Sequence, residues 1–115
     1  SYIMAYKKLT KKQKVLNLLS KGQPVTWGSL RTRFDLTSPR AMIDQLRTEG
    51  HMVYINTTSA GTTYRMGKPT KSIIAAGVDK VFYFGKDEAT TNLNEIVAAG
   101  IESIYGTQKY AYSNR

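Results

Sequence analysis

Apolar residues fall in three short helix-like runs in the first half of the chain, followed by two strand-like runs. Val15, Leu16, Leu18 and Leu19 form one apolar face at helical spacing, which predicts a helix from Thr10 to Ser20 with Thr10 as its cap. Lys21, Gly22, Gln23 and Pro24 end it. Trp27, Leu30 and Phe34 stand at i, i+3 and i+7 behind a capping Thr26, so a second helix is expected over about 27–34. Asp35, Leu36 and Thr37 read as a turn. Ser38 then caps a third helix, Pro39 suits its first position, and Met42, Ile43 and Leu46 line one face. Gly50 fits the left-handed position after its end. Arg40, Ala41, Asp44, Gln45, Arg47 and Thr48 are left for its other faces. Met52 to Asn56 and Thr62 to Met66 read as strands around a polar tip, Thr57 to Gly61, and so as a hairpin closed by Gly67 and Pro69.

The second half is similar to itself. Ile73-Ile74-Ala75-Ala76-Gly77-Val78-Asp79 matches Ile96-Val97-Ala98-Ala99-Gly100-Ile101-Glu102 at an offset of 23 residues, and Val81-Phe82 matches Ile104-Tyr105. Two copies are too few for a solenoid. Residues 72–94 read as a duplicated insertion. The copy over 95–109 is expected to be mostly helix, capped by Asn92 or Asn94, with Gly100 a mild penalty. In the copy over 72–86, Val81-Phe82-Tyr83-Phe84 reads equally as strand or helix, and Gly77 as a helix end favours a helix followed by a short extended piece. Either copy presents an apolar side, open to two uses: packing on the domain, or a homodimer interface that would suit a reader of two-fold sites.

Three short helices and a hairpin make the expected fold mostly α with a β-hairpin wing over 1–68. A C-terminal α-rich extension over 69–115 carries the duplicated segment. Residues 10–68 resemble winged helix-turn-helix DNA-binding domains. More narrowly, "SPRAMIDQLRTEGHMVYINTTSAGTTYRMG" is similar to small phage-encoded helix-turn-helix proteins. Those carry a helix of the form ARI-x-[DE]-L-R-x-x-G running into a wing that closes on Y-R-[LM]-G. The residues that carry the likeness are Ala41, Ile43, Leu46, Arg47, Gly50, Tyr64, Arg65, Met66 and Gly67, with Arg40 and Asp44 close to the places where that form has its first Arg and its acid. Met42 departs from the pattern, standing where many relatives are basic or polar. The resemblance implies double-stranded DNA as partner, the 38–49 helix in the major groove and the 52–66 wing on the backbone.

Charge strengthens that expectation. The 115-residue chain carries a net +9. Residues 1–50 hold ten Lys/Arg against three acids, and residues 51–115 hold seven against five. A basic region of this kind is the footprint of a polyphosphate partner. There is no cysteine and one histidine, His51, so thiol chemistry is excluded and a transition-metal site is not expected. No G-x-S-x-G surrounds a serine, and "FGKDE" lacks the glycine-rich loop and GK[ST] of a phosphate cradle. No enzyme and no cofactor are expected. No apolar run approaches the roughly 20 residues of a membrane span, and no signal peptide is read at the N-terminus. The cytoplasm, of a host cell if the chain is phage-encoded, is the expected compartment; a virion is the alternative.

The candidate DNA contacts follow from what each residue type offers. Lys7, Lys8, Lys11, Lys12 and Lys14 crowd the start of the first helix, and Lys11 and Lys12 are its candidates for phosphate. Thr37 and Ser38 suit phosphate at a helix N-terminus. Arg40 and Arg47 suit guanine and Gln45 suits adenine, although Arg47 has an intramolecular alternative in Asp44 or Glu49. Thr58, Ser59, Arg65 and Lys68 supply the polar tip and basic flanks of the wing, with Arg65 equally suited to bracing it. Tyr2, Tyr6, Tyr54, Tyr64, Tyr105, Tyr110 and Tyr112 suit either stacking on bases or covering a small core. The reading is transcriptional regulation by a DNA-binding protein. The alternative is a structural or adaptor protein, a virion component for instance, acting through the winged fold and the repeated segment.

Overall fold

The computed structural model describes residues 9–83, 85, 87 and 91–106. The expectations on Lys7, Lys8, Tyr2, Tyr6, Tyr110, Tyr112, Phe84 and the tail after Gly106 lie outside them. Among the described residues, five helices and a three-stranded antiparallel sheet follow one another as α1 (Lys11–Leu19), β1 (Val25–Thr26), α2 (Trp27–Arg33), α3 (Pro39–Thr48), β2 (Val53–Thr58), β3 (Gly61–Met66), α4 (Lys71–Tyr83) and α5 (Leu93–Tyr105). The fold is mixed α/β and rich in helix.

Local chemistry sets the helix starts. Thr10 accepts from the Gln13 backbone while the Gln13 side chain accepts from the Thr10 backbone, a reciprocal capping box. Thr26, Ser38 and Asn92 cap α2, α3 and α5, accepting from the backbone N–H groups of Ser29, Ala41 and Glu95. Gly50 has φ +94° just beyond α3, and a side chain there would run into the Asn94 backbone. One glycine therefore both reverses the chain and lets the start of α5 approach.

The sheet order is β1-β3-β2. Val25 pairs with Tyr64, and Tyr64 with Ile55, so one buried apolar row crosses all three strands. β1 has no signature in the sequence: its two residues are too short to show a period, and Val25 directly follows the residues that stop the first helix. The hairpin strands reach further than expected, to Thr58 and from Gly61, leaving Ser59 and Ala60 as a two-residue turn.

Strand alternation lets β2 serve two cores. Val53 and Ile55 join Val15, Leu19, Leu30, Ile43, Leu46 and Tyr64 in the larger one. Met52 and Tyr54 turn the other way and pack with Ile73, Val97 and Ile101 of α4 and α5. The helical pair is thereby joined to the sheet, and the Tyr54 hydroxyl donates to the Lys68 carbonyl at 2.9 Å beside the junction.

The first of the similar segments departs from expectation. α4 continues through Gly77 and Val81 to Tyr83, in place of a helix end followed by an extended piece. Gly77 is buried within the helix, against Ile96 of α5. Packing overrides the extended preference of Val81-Phe82-Tyr83: Val81 is buried on the helical face, while Phe82 and Tyr83 are exposed. Trp27 likewise leaves the apolar face that its spacing suggests. It is 41% exposed, whereas Leu30 is fully buried.

Candidate nucleic-acid interface

α3 has one face in the core and one in solvent. Pro39, Ile43, Leu46 and Arg47 are buried, while Ala41, Gln45 and Thr48, at i, i+4 and i+7, form an exposed stripe. Thr37 and Ser38 are exposed at its entrance, and Ser38 is engaged as the cap at 3.3 Å from the Ala41 nitrogen. Arg40 is half-buried beside the stripe. At ten residues the helix is about 15 Å long, and its diameter of about 10–12 Å matches a major groove about 12 Å wide.

Arg47 does not belong to that surface. It is 4% exposed, its Nε donates to the Val53 carbonyl at 3.0 Å, and its guanidinium lies 4.0 Å from the Asp44 carboxylate. A guanidinium whose stem lies in the core fastens α3 to the start of β2, so the expected guanine contact is replaced by a structural one. Of the two intramolecular partners open to it in the sequence, Asp44 is the one realised.

The two lysines of α1 are also held by neighbours. The Lys12 ammonium is 2.8 Å from the Glu49 carboxylate. Lys11 donates to the Asp35 carbonyl at 3.0 Å and stands 4.0 Å from its carboxylate. Both pairs are solvent-accessible, so they hold α1 only weakly, Lys12 to the end of α3 and Lys11 to the turn before it, and leave the charge near the surface.

Two arginines of α2 lie outside the sequence-predicted set, and one of them, Arg31, reaches the turn that leads into α3. Arg31 donates to the Leu36 and Thr37 carbonyls at 3.3 and 2.8 Å and lies 5.8 Å from the Trp27 ring centroid. Arg33 lies 5.4 Å from the ring of Phe34. Both are exposed. The signal for Arg31 is its i, i+4 spacing from Trp27 on a helix whose apolar side needs only Leu30 and Phe34.

At the hairpin tip, Thr58 accepts from the Ala60 backbone at 3.2 Å and approaches the Gly61 carbonyl at 3.4 Å. Ser59 is exposed beside it, and Arg65 and Lys68 are exposed further along the strand and beyond its end. Tyr64 is a core residue with no exposed surface. Tyr54 is half-buried, and burial, aided by Tyr105 and opposed by Arg65, raises its phenol above the ordinary value of 10.0.

An open groove of about 730 Å³ lies at the other end of α3, lined by Thr48, Glu49, Lys80, Ala98, Ala99 and Glu102 among others. Lys80 pairs with Glu102 at 3.4 Å, and Glu49 is held by Lys12. Its carboxylates repel phosphate, so the groove is no extension of the basic surface. Among the described residues no group of three or more His, Cys, Asp or Glu is placed to hold a metal, and no helix is long and apolar enough to cross a membrane. No family model, no curated protein and no solved structure matches the chain.

Proposed function

We propose that this chain is a non-enzymatic, winged helix-turn-helix-like protein that binds double-stranded DNA and acts in transcriptional regulation. The observation that carries the proposal is the uncharged, exposed Ala41-Gln45-Thr48 stripe on a firmly anchored helix, with Arg40 in its first turn, Arg31 at the turn before it and Arg33 exposed on the preceding helix. In this reading α3 enters the major groove. Gln45 offers paired hydrogen bonds to adenine and the Ala41 methyl offers apolar contact to thymine. Thr37, Ser38 and the arginines meet phosphates, and the hairpin lies along the backbone as a wing through Thr58, Ser59, Arg65 and Lys68. Arg47 acts behind the interface by fixing the helix.

The test is fluorescence anisotropy of a labelled random duplex across a salt series. The expected result is an affinity that falls steeply with salt, by about 0.9 in slope for each phosphate neutralised. Site selection and the Gln45→Ala variant then follow, with loss of preference at one A·T position expected. No binding at low salt by a chain of charge +9 would overturn the proposal.

The second reading, an adaptor, is favoured by one observation. Phe82, Tyr83, Leu93 and Ile104 of the helical pair are exposed at 38%, 84%, 60% and 44%. Apolar surface of this kind suits a protein partner. DNA binding that survives replacement of these four by Ser would separate the two readings.

A further inference from the structure

The two similar segments become α4 and α5, and they meet through the same residues. A side chain on Gly77 would strike the Ile96 carbonyl, its carbon 2.8 Å from the added Cβ, and the Ile96 Cγ2 at 2.9 Å. A side chain on Gly100 would strike the Ile73 carbonyl, again with its carbon at 2.8 Å, and the Ile73 Cγ2 at 2.9 Å. A shift of 23 residues carries Ile73 onto Ile96 and Gly77 onto Gly100. Exchanging the two helices therefore turns one contact into the other.

This is the defining property of an isologous interface, in which residue i meets j and j meets i. A surface of that kind is complementary to itself. Each helix carries a protruding isoleucine and, one turn later, a glycine that admits the partner's isoleucine and backbone. The symmetry holds at the contact and breaks away from it, where the sheet covers one side only. Val97 and Ile101 pack on Met52, while their counterparts Ile74 and Val78 remain half-buried.

We propose that the α4–α5 contact is a self-pairing surface closed within one chain, and that its occupant in trans is a second copy of this chain. In the intact protein the tethered helix wins, because a short connection gives it an effective concentration on the order of millimolar. The chain is then a monomer at micromolar concentration. When the internal partner is displaced, α4 pairs antiparallel with α4 of another molecule, Ile73 of each against Gly77 of the other.

The experiment uses the full chain, without DNA, so its outcome is independent of the DNA-binding reading. Gly100→Leu displaces α5 and leaves Ile73 and Gly77 of α4 intact. Light scattering with size-exclusion chromatography should then show a helical species of twice 12.9 kDa, formed in a concentration-dependent way between about 10 and 500 µM. Gly77→Leu should do the same through Ile96 and Gly100 of α5. The double variant has no open glycine on either helix and should not dimerise. Single variants that stay monomeric, or stay unfolded by circular dichroism throughout this range, would overturn the proposal. So would a double variant that dimerises as well as the single ones, since ordinary apolar adhesion would then suffice.

Discussion

Arg47 illustrates how a residue type can mislead when its partners are unknown. On the outer face of α3 it would read guanine; in the structure its Nε reaches the Val53 carbonyl and its charge faces Asp44. Replacing it by Ala leaves a buried carbonyl without that donor and removes the buried stem. The expected loss is about 1.5–3 kcal/mol of stability in urea unfolding, and Arg47→Lys should recover only part of it, since an ammonium lacks the planar fork. A fall in DNA affinity for Arg47→Ala should accordingly track the unfolded fraction. Tyr54 gives a second residue-level expectation. Its phenol is raised in the fold, chiefly by burial, so the neutral form is favoured there. The stability this gives is fully present below the unfolded value near 10 and is lost as pH rises through the folded value. Between these limits Tyr54→Phe should lose less stability than the parent chain. The difference between the two alkaline titrations isolates this phenol from the other seven tyrosines.

At the scale of the element, the join between α3, β2 and α5 depends on Gly50. Its φ of +94° and the adjacent Asn94 backbone leave no room for a Cβ. Gly50→Ala should cost more than about 1–2 kcal/mol, the ordinary left-handed penalty, because the start of α5 must also move. Thermal unfolding followed at 222 nm measures this, with Gly22→Ala, left-handed but open, as the control for strain alone. Elements whose signals are local are legible in the sequence. Thr10, Thr26, Ser38, Pro39 and Gly50 mark the first three helices because capping is decided within a few residues, and the polar tip marks the hairpin. Elements decided by distant partners are not legible. β1 exists because Val25 pairs with Tyr64, 39 positions along, and α4 stays helical through Val81 because its other face packs along α5. Gly77 has the look of a helix end because a glycine that permits a turn and one that permits a neighbour are the same residue in sequence. The exposed stripe of α3 is partly legible. Gln45 and Arg40 stand out by type and place, whereas Arg31 lies on the preceding helix and its reach to the α2–α3 turn is set by the fold.

For the whole molecule, the distribution of charge decides how binding should respond to salt. The first 50 residues carry a net +7 and the remaining 65 a net +2. The cations do not count alike, since Lys11, Lys12 and Arg47 each stand beside an acid. Arg31 meets carbonyls and an aromatic face, and Arg33 meets an aromatic face, groups that leave a guanidinium its full charge. Lys80 is matched by Glu102 and borders a groove that also holds Glu49 and Glu95. If the basic face around α3 carries the phosphate contacts, removing cations there lowers the slope of log affinity against log salt by nearly one for each phosphate no longer neutralised. The Arg31→Ala/Arg33→Ala double variant should therefore flatten the slope by about two and weaken all sequences alike. Lys71→Ala/Lys80→Ala lowers the net charge equally and should leave the slope where it was. Circular dichroism checks that removing the Arg31 bonds to the α2–α3 turn has not unfolded the helix. Equal flattening by the two pairs would show that binding senses only total charge, and α3 would then lose its claim to be the surface that meets DNA.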